Sequence, residues 1–202
     1  MRSPTIRSVL AAGLLLGTLG ARGQVAPDAE APDFRLSDVN GAEITLASFR
    51  GKFVVLEWFN HDCPFVKKHY GSGNMPALQK KFADQGVIWL SICSSSPGKQ
   101  GNYSAEKQAE LAREKNSAAT AVLLDPEGTV GRAYGAKTTP HMFVINPEGR
   151  VIYQGAIDSV ASANPEDISG AENYVKGALE SALAGQPVAK KVTAPYGCSV
   201  KY

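Results

Sequence analysis

Cys63 occupies the position in this chain that is best suited to covalent chemistry. It follows the apolar residues 53–59 and immediately precedes Pro64, where a helix-like stretch begins. A helix N-terminus carries partial positive charge and unpaired N–H groups, which favour a thiolate over a thiol. Proline suits the first helical position because the N–H that it lacks would be unpaired there. The sequence therefore predicts a reactive thiol, and the alternative of a core cysteine fits poorly with the polar residues 60–62 beside it.

Two basic residues, Lys67 and Lys68, follow Cys63 within the first turns of the predicted helix. A nearby ammonium group favours the ionised form of a thiol. We therefore expect Lys67 to help stabilise the thiolate. The alternative is that both lysines lie on a solvated helix face.

The chain has three cysteines, Cys63, Cys93 and Cys198. An odd number in an oxidising compartment predicts one disulfide and one free thiol, and spacing alone leaves all three pairings open. Cys93 ends the apolar run 87–93, so it lies either near the edge that carries Cys63 or in the core. Cys198 lies in a short polar tail where it has little to pack against. A covalent use, as a resolving or tethering thiol, is the favoured interpretation over an incidental thiol.

Residues 1–23 have the pattern of a secretory signal: a basic start, a short apolar stretch over 9–19, and small residues at 21–23. The apolar stretch is too short to span a bilayer, although an uncleaved N-terminal anchor is an alternative. Cleavage would remove three arginines and no acids, which changes the formal net charge from +2 to −1. We therefore expect an exported protein, periplasmic or extracellular, with no nucleic-acid partner.

After the signal, the pattern predicts a flexible leader at 24–32, one domain at 33–185 and a tail at 186–202 that carries Cys198. Alternating apolar runs and helical periodicity indicate a mixed α/β sheet with helices on both faces. The predicted elements, in chain order, are two short strands around Asn40-Gly41, a strand at 53–59, a helix from 64 to 82 interrupted at 71–73, a strand at 87–93, a helix at 104–116, a strand at 121–125, a short helix at 130–134, a hairpin at 142–146 and 151–155, and a final helix at 170–183.

Several segments together resemble a known family. Residues 31–34, 46–52, 135–145 and 147–155 match the opening, cis-proline and hairpin segments of the thioredoxin fold, in the elaborated form of redoxins and peroxiredoxin-like (AhpC/TSA-type) proteins. The resemblance runs from about residue 31 to residue 183. Residues 60–67, Asn-His-Asp-Cys-Pro-Phe-Val-Lys, and the Gly-Cys-Ser-aliphatic-Lys-aromatic tail are similar to one peroxiredoxin-like subgroup.

This resemblance implies a thioredoxin-like fold, a cis peptide between Thr139 and Pro140, and a cis-proline segment that faces the nucleophilic cysteine and offers backbone groups to a bound peptide. It places Asn60, Pro64, Thr139 and Pro140 around the substrate. Thioredoxins carry a second cysteine three residues after the first, and here that position is Val66. A dithiol on one helix turn is therefore excluded, and Cys198 is the expected resolving partner.

The peroxidase signature is incomplete. In peroxiredoxins a Pro-x-x-x-Thr-x-x-Cys segment and a distal arginine assist attack on peroxide, whereas this chain has Leu56, Asn60 and Thr139 at the corresponding positions. The amide of Asn60 retains a hydrogen-bond donor. We therefore expect reduction of hydrogen peroxide to be slow.

These features predict an exported thiol-disulfide oxidoreductase, or a weak thiol peroxidase, that uses the Cys63 thiolate to form a mixed disulfide or a sulfenic acid. The expected partners are a thiol or disulfide protein, a small thiol reductant or a peroxide, with no cofactor, and with membrane contact only through an uncleaved signal. One alternative is a non-catalytic module that binds a protein or, through Cys63 with His61, His69 and His141, a copper-type metal. The other is a structural role in which Cys63 is locked permanently in a disulfide.

Overall fold

A computed structural model describes residues 25–202, and the predicted signal segment lies outside this range. The strands in the described range are β1 (Arg35–Asp38), β2 (Glu43–Thr45), β3 (Val54–Trp58), β4 (Ile88–Cys93), β5 (Ala121–Leu124), β6 (Thr138–Thr139), β7 (His141–Ile145), β8 (Val151–Gly155) and β9 (Cys198–Ser199). The α-helices are α1 (Pro64–Gly71), α2 (Asn74–Ala83), α3 (Ala105–Glu114), α4 (Thr129–Tyr134) and α5 (Tyr174–Leu183). Two 3₁₀ turns, Leu46–Phe49 and Pro165–Gly170, complete the regular structure of this range.

The strands form a seven-stranded mixed sheet and a separate two-stranded ribbon. The large sheet has the order β2-β1-β5-β4-β3-β7-β8, with β3, β4 and β5 parallel to one another and β7 antiparallel to β3. The ribbon pairs β6 with β9, which lies close to the end of the chain. The carboxyl end of β3 lies at the edge of the sheet near which α1 begins. The candidate functional site lies at this edge.

The side chains of β3 alternate between the two faces of the sheet, as the two-residue period of a strand requires. Val55 belongs to the core layer that packs under α1, α2 and α5, whereas Val54, Leu56 and Trp58 belong to the layer shared with α4. All five residues of β3 are buried. Because β3 lies inside the sheet and is buried on both faces, its sequence is a continuous apolar run interrupted only by Glu57.

The predicted mixed sheet with helices on both faces is confirmed, with two corrections to the elements. The final helix begins at Tyr174, because residues 165–170 form a 3₁₀ turn that starts at a proline. The tail contributes β9, a strand that the sequence pattern does not predict. Within residues 25–202, no helix is both long enough and apolar enough to cross a membrane.

The segment predicted as a flexible leader packs against the domain over its described residues. Ala31 is buried, Glu30 forms a bridge with Arg150, and the Asp28 N–H donates to the Val151 carbonyl. These contacts arise because the segment lies along the start of β8. The folded unit therefore begins before residue 33.

Candidate active site

Cys63 lies at the junction between β3 and α1 that the sequence predicts. It is the N-cap residue of α1, Pro64 follows as the first helical residue, and the Lys67 N–H donates to the Cys63 carbonyl. The Cys63 side chain is fully buried. A thiol at a helix N-terminus is therefore present, but it is covered by other parts of the chain.

The cis-proline segment faces the Cys63 sulfur. The peptide bond between Thr139 and Pro140 is cis, as the resemblance implies. Cys63 Sγ lies 3.0 Å from the Thr139 carbonyl oxygen, to which the protonated thiol donates. Both Thr139 and Pro140 are buried. The expected juxtaposition of the cysteine and this segment is thus observed.

The tail brings Cys198 to the same place. In the antiparallel ribbon, Cys198 pairs with Thr139 and Ser199 pairs with Thr138. The preceding residue, Gly197, has a φ of 131°, and a Cβ there would overlap the Thr139 carbonyl oxygen. Only glycine permits so close an approach of two backbones in this conformation. This close approach places the second thiol beside the first, and both are free thiols in this structure.

The two thiols have pKa values displaced in opposite directions. Burial opposes ionisation of Cys63, but hydrogen bonds from the Cys198 and Thr139 side chains and from the Val66 and Cys198 N–H groups outweigh it, so the Cys63 pKa is lowered. Burial and the neighbouring Cys63 sulfur raise the pKa of Cys198 to about 11. This is the pattern of a nucleophilic thiolate beside a protonated donor thiol.

The lowered pKa agrees with the sequence prediction, but its origin differs. The contributing groups are hydrogen-bond donors, and Lys67 is not among them. Lys67 is solvent-exposed on α1, while Lys68 is buried and lies 3.8 Å from the Asp158 carboxylate. A thiolate-stabilising role for Lys67 stays a prediction.

We expect Cys198→Ala to raise the pKa of Cys63, because the Cys198 side chain is the largest of the groups that lower it. The measurement is the rate of iodoacetamide alkylation of Cys63 against pH, followed by peptide mapping in a Cys93→Ser background. Ser199→Ala, which alters the neighbouring residue of the same strand, is the matched control and should leave the midpoint unchanged. An unchanged midpoint in Cys198→Ala would contradict this origin of the shift.

Asn60 and Pro64, the other predicted substrate contacts, differ in their surroundings. Pro64 is exposed beside Cys63. Asn60 is buried, its amide donates to the Gln100 carbonyl and its oxygen accepts from the Asp62 N–H. The Asn60 side chain thus ties the nucleophile segment to the loop that contains Gly101, where an added Cβ would overlap the Asn60 side chain. Its predicted contact with substrate would require these internal bonds to change.

A buried polar cluster lies beneath α1, and the sequence alone does not predict it. Tyr196 donates its hydroxyl proton to Asp158, and the His69 Nε2 atom lies 3.3 Å from the same hydroxyl oxygen. The Asn74 amide nitrogen lies 2.8 Å from His69 Nδ1. Lys68, which donates to a backbone carbonyl at 3.4 Å, completes the cluster. We refer to Lys68, His69, Asp158 and Tyr196 as the α1 polar cluster.

A second buried network centres on Glu57, the single charged residue of β3. Its carboxylate accepts hydrogen bonds from four side chains that lie on three other elements: Tyr70, Gln79, Trp89 and Ser91. Burial raises the pKa of Glu57, and the four hydrogen bonds only partly offset this effect. A charged residue inside an apolar run is the sequence signal for such a network. The partners of Glu57 are distant in the sequence, so the sequence alone does not identify them.

Cys93 is buried in the core at the end of β4. Its thiol contacts the Gly101 carbonyl and accepts from the Gln108 amide, each at 3.4 Å, and burial raises its pKa. The core interpretation of Cys93 therefore agrees with the structure.

The histidines are distributed among separate contacts: His61 lies against Lys115, His69 belongs to the α1 polar cluster, and His141 accepts from the Lys137 N–H. Across residues 25–202, no group of three or more histidine, cysteine or acidic side chains is arranged to hold a metal ion.

Fold and site together define a thioredoxin-like protein with one cysteine at the start of α1, a facing cis-proline, and a second cysteine delivered by the tail. The AhpC/TSA family matches residues 27–154, more than half of the sequence. The chain belongs to the AhpC/TSA family, and the predicted family resemblance is confirmed.

Comparison with individual proteins agrees with this assignment. The chain is 31% identical over 129 residues to the thiol-disulfide oxidoreductase ResA of Bacillus subtilis, a match that covers 63% of this chain and 66% of that protein. A protein of unknown function from Geobacillus kaustophilus has the same fold, with a TM-score of 0.76, 24% identity and coverage of 89% of this chain and 93% of its own. A hypothetical protein of Sinorhizobium meliloti gives a TM-score of 0.77 at 26% identity, covering 89% and 96% of the two chains.

Proposed function

We propose that this protein is a thiol-disulfide oxidoreductase in which Cys63 is the nucleophile and Cys198 is the resolving thiol. The observation that carries the proposal is the pairing of Cys198 with Thr139, the residue whose carbonyl oxygen contacts the Cys63 sulfur. The opposite pKa directions of the two thiols support this division of roles. The similarity to a named thiol-disulfide oxidoreductase, which extends over just under two thirds of that protein, agrees with it.

The reaction has two exchange steps. The Cys63 thiolate attacks one sulfur of a substrate disulfide, which forms a mixed disulfide and releases the other sulfur as a thiolate. Cys198 then loses its proton to the released thiolate or to solvent and attacks Cys63 Sγ. The Cys63–Cys198 disulfide forms, and the second substrate sulfur leaves as a thiolate, which takes its proton from solvent. Two electrons thus pass from the protein dithiol to the substrate, and an external thiol reductant must restore the dithiol.

Cys198 is suited to the second step because of its raised pKa. It stays protonated at neutral pH, so it does not compete with Cys63 for the substrate. Formation of the mixed disulfide consumes the Cys63 thiolate and so removes the neighbouring sulfur charge that contributes to this raised pKa. The resolving thiol therefore becomes easier to ionise at the stage when it is needed.

Export belongs to the same proposal. The signal-like pattern of residues 1–23 would deliver the protein to an oxidising compartment, periplasmic or extracellular, where disulfide substrates are present. Slow reduction of hydrogen peroxide remains a prediction, since Asn60 and Thr139 stand where the peroxidase threonine and arginine are expected.

The test is peptide mapping of the protein after oxidation with one equivalent of a small disulfide. We expect a single disulfide between Cys63 and Cys198, with Cys93 still free, and we expect an added dithiol to reverse it. Cys93→Ser should give the same product, because the contacts of the Cys93 thiol are with the Gly101 carbonyl and the Gln108 amide. A disulfide between Cys63 and Cys93, or a sulfinic acid at Cys63 with Cys198 still free, would refute the resolving role.

A further inference from the structure

We propose that residues 196–202, here called the tail strand, occupy the surface on which a polypeptide substrate would pair, and that Tyr196 is the positioning residue that holds them there. The tail strand would then set specificity. In its docked state it shields Cys63 from polypeptide disulfides, and its release admits them. This inference rests on the proposed role of Cys63 as nucleophile, and it extends that role to a substrate class.

The first argument is that the tail strand binds as an added β-strand. Beyond the pairing of Cys198 with Thr139, the Val200 N–H donates to the Lys137 carbonyl, and the Ser96 N–H donates to the Lys201 carbonyl. Addition of a strand to an open edge is a general way in which proteins bind extended peptides. The residues that pair with the tail strand are those next to the cis-proline and the Cys63 sulfur, so a peptide disulfide would need the same edge.

The second argument is that Cys63 is fully buried while the tail strand is docked. The Cys63 sulfur contacts both Thr139 and its strand partner Cys198. A disulfide within a folded polypeptide presents a bulky backbone around its sulfur atoms. Such a substrate reaches Cys63 only after the tail strand has moved, whereas a small disulfide needs a smaller opening.

The third argument concerns how the tail strand is held at its beginning. The Tyr196 hydroxyl donates to Asp158, which is 3% exposed. Because the Asn74 amide lies against His69 Nδ1, His69 carries its proton on Nε2 and donates it to the Tyr196 oxygen. The Tyr196 ring also packs edge-on against Phe65, with ring centroids 5.8 Å apart. A hydrogen bond to a buried carboxylate is among the stronger contacts available to a tyrosine.

The other end of the tail strand has an independent anchor. The Tyr202 hydroxyl donates to the Ala136 carbonyl at 2.8 Å, and its ring lies 4.2 Å from the Arg132 guanidinium group. Gly128 and Gly131 make room for this ring, because a Cβ at either position would overlap it. Cys198 therefore lies between two tyrosines, Tyr196 and Tyr202, that each fix one end of the tail strand. Tyr196 is the nearer to Cys198, and it alone of the two engages a charged hydrogen-bond partner.

The experiment compares Tyr196→Phe with wild type in a Cys93→Ser background. The primary readout is kcat/KM for reduction of insulin, a polypeptide disulfide, divided by kcat/KM for hydroxyethyl disulfide. Loss of one charge-assisted hydrogen bond is expected to raise this ratio about tenfold. Alkylation of Cys63 by iodoacetamide, compared as the pH-independent rate of the thiolate so that a change in the Cys63 pKa does not enter, should accelerate in parallel. Closure of the Cys63–Cys198 disulfide should slow.

Gly197→Ala is the second variant, because an added Cβ would overlap the Thr139 carbonyl oxygen and displace the tail strand while every side chain of the α1 polar cluster keeps its native chemistry. It should shift the ratio and the alkylation rate in the same direction. Gly177→Ala is the control, since a Cβ on this helical glycine meets no atom within 4 Å. All three readouts should match wild type in this variant.

An unchanged ratio in both Tyr196→Phe and Gly197→Ala would overturn the inference, as would a lower ratio in either. Failure of the proposed function is distinguishable from this result. A protein that reduces neither disulfide would still report docking of the tail strand through the alkylation rate of Cys63. If the variants are alkylated faster than wild type but no protein reduces either disulfide, the docking of the tail strand is supported and the proposed oxidoreductase function is refuted.

Discussion

Replacement of Cys63 by serine is expected to lower disulfide turnover by roughly a thousandfold or more, to the uncatalysed rate, because the serine hydroxyl is not ionised at neutral pH and forms no stable bond to sulfur. The assay is reduction of hydroxyethyl disulfide with a dithiol as the electron source. The substitution is nearly isosteric in a fully buried position, so the fold should be retained. A circular dichroism melt verifies this.

The other cysteines serve as matched comparisons. Cys93→Ser should keep the wild-type rate, because the Cys93 thiol contacts the Gly101 carbonyl and the Gln108 amide, which have no part in the proposed exchange. Cys198→Ala should retain the first exchange and then accumulate a mixed disulfide on Cys63, visible by mass spectrometry. Wild-type turnover in Cys63→Ser, or loss of turnover in Cys93→Ser, would contradict the assignment of the nucleophile.

The part of the site that could be predicted from the sequence is local. A strand, a cysteine and a proline that opens a helix are consecutive in the chain, so their relation follows from helix and strand geometry alone. The cis-proline segment could be placed only through the family resemblance, since nothing in residues 138–141 by itself says which strand they face. The antiparallel pairing of β7 with β3 supplies this contact.

The tail strand could not be predicted because its pairing depends on contacts of long sequence separation. The two residues of β9 carry no alternation, and their partners lie about sixty positions earlier. Gly197 was a usable signal in hindsight, since a glycine beside a cysteine indicates a close backbone approach. The α1 polar cluster is not predicted for the same reason. In the sequence, Lys68 and His69 have the pattern of a solvated helix face, because their partners Asp158 and Tyr196 lie far along the chain.

Glu57 is the position where we expect the largest effect on folding stability. Replacement by leucine would remove the acceptor that four buried donors share. The Gln79 amide also donates to the Tyr70 hydroxyl, whereas the rigid indole N–H of Trp89 has the least freedom to find another acceptor. A buried donor left unpaired costs about 1–3 kcal/mol. Removal of the carboxyl group also removes the free-energy cost of burying it, which offsets part of this loss. We therefore expect Glu57→Leu to lower the free energy of unfolding by roughly 3 kcal/mol or more.

The matched variant, Glu57→Gln, separates charge from hydrogen bonding. Burial raises the pKa of Glu57 above its ordinary value of 4.5, so the folded protein holds this proton to a higher pH than the unfolded chain does. The stabilising contribution of the protonated carboxyl is complete below the unfolded pKa and is lost as pH rises through the folded pKa. Wild type should therefore lose stability relative to Glu57→Gln as pH increases from 4.5 towards neutrality.

The size of this loss is about 1.4 kcal/mol for each unit by which the folded and unfolded pKa values of Glu57 differ. Urea unfolding curves of wild type and Glu57→Gln, measured between pH 4 and pH 8, give the difference directly. Glu127→Gln, at an exposed acidic residue, is the control and should remain parallel to wild type throughout. A wild-type curve that stays parallel to that of Glu57→Gln, or that gains stability as pH rises, would show that the four hydrogen bonds to the carboxylate outweigh its burial.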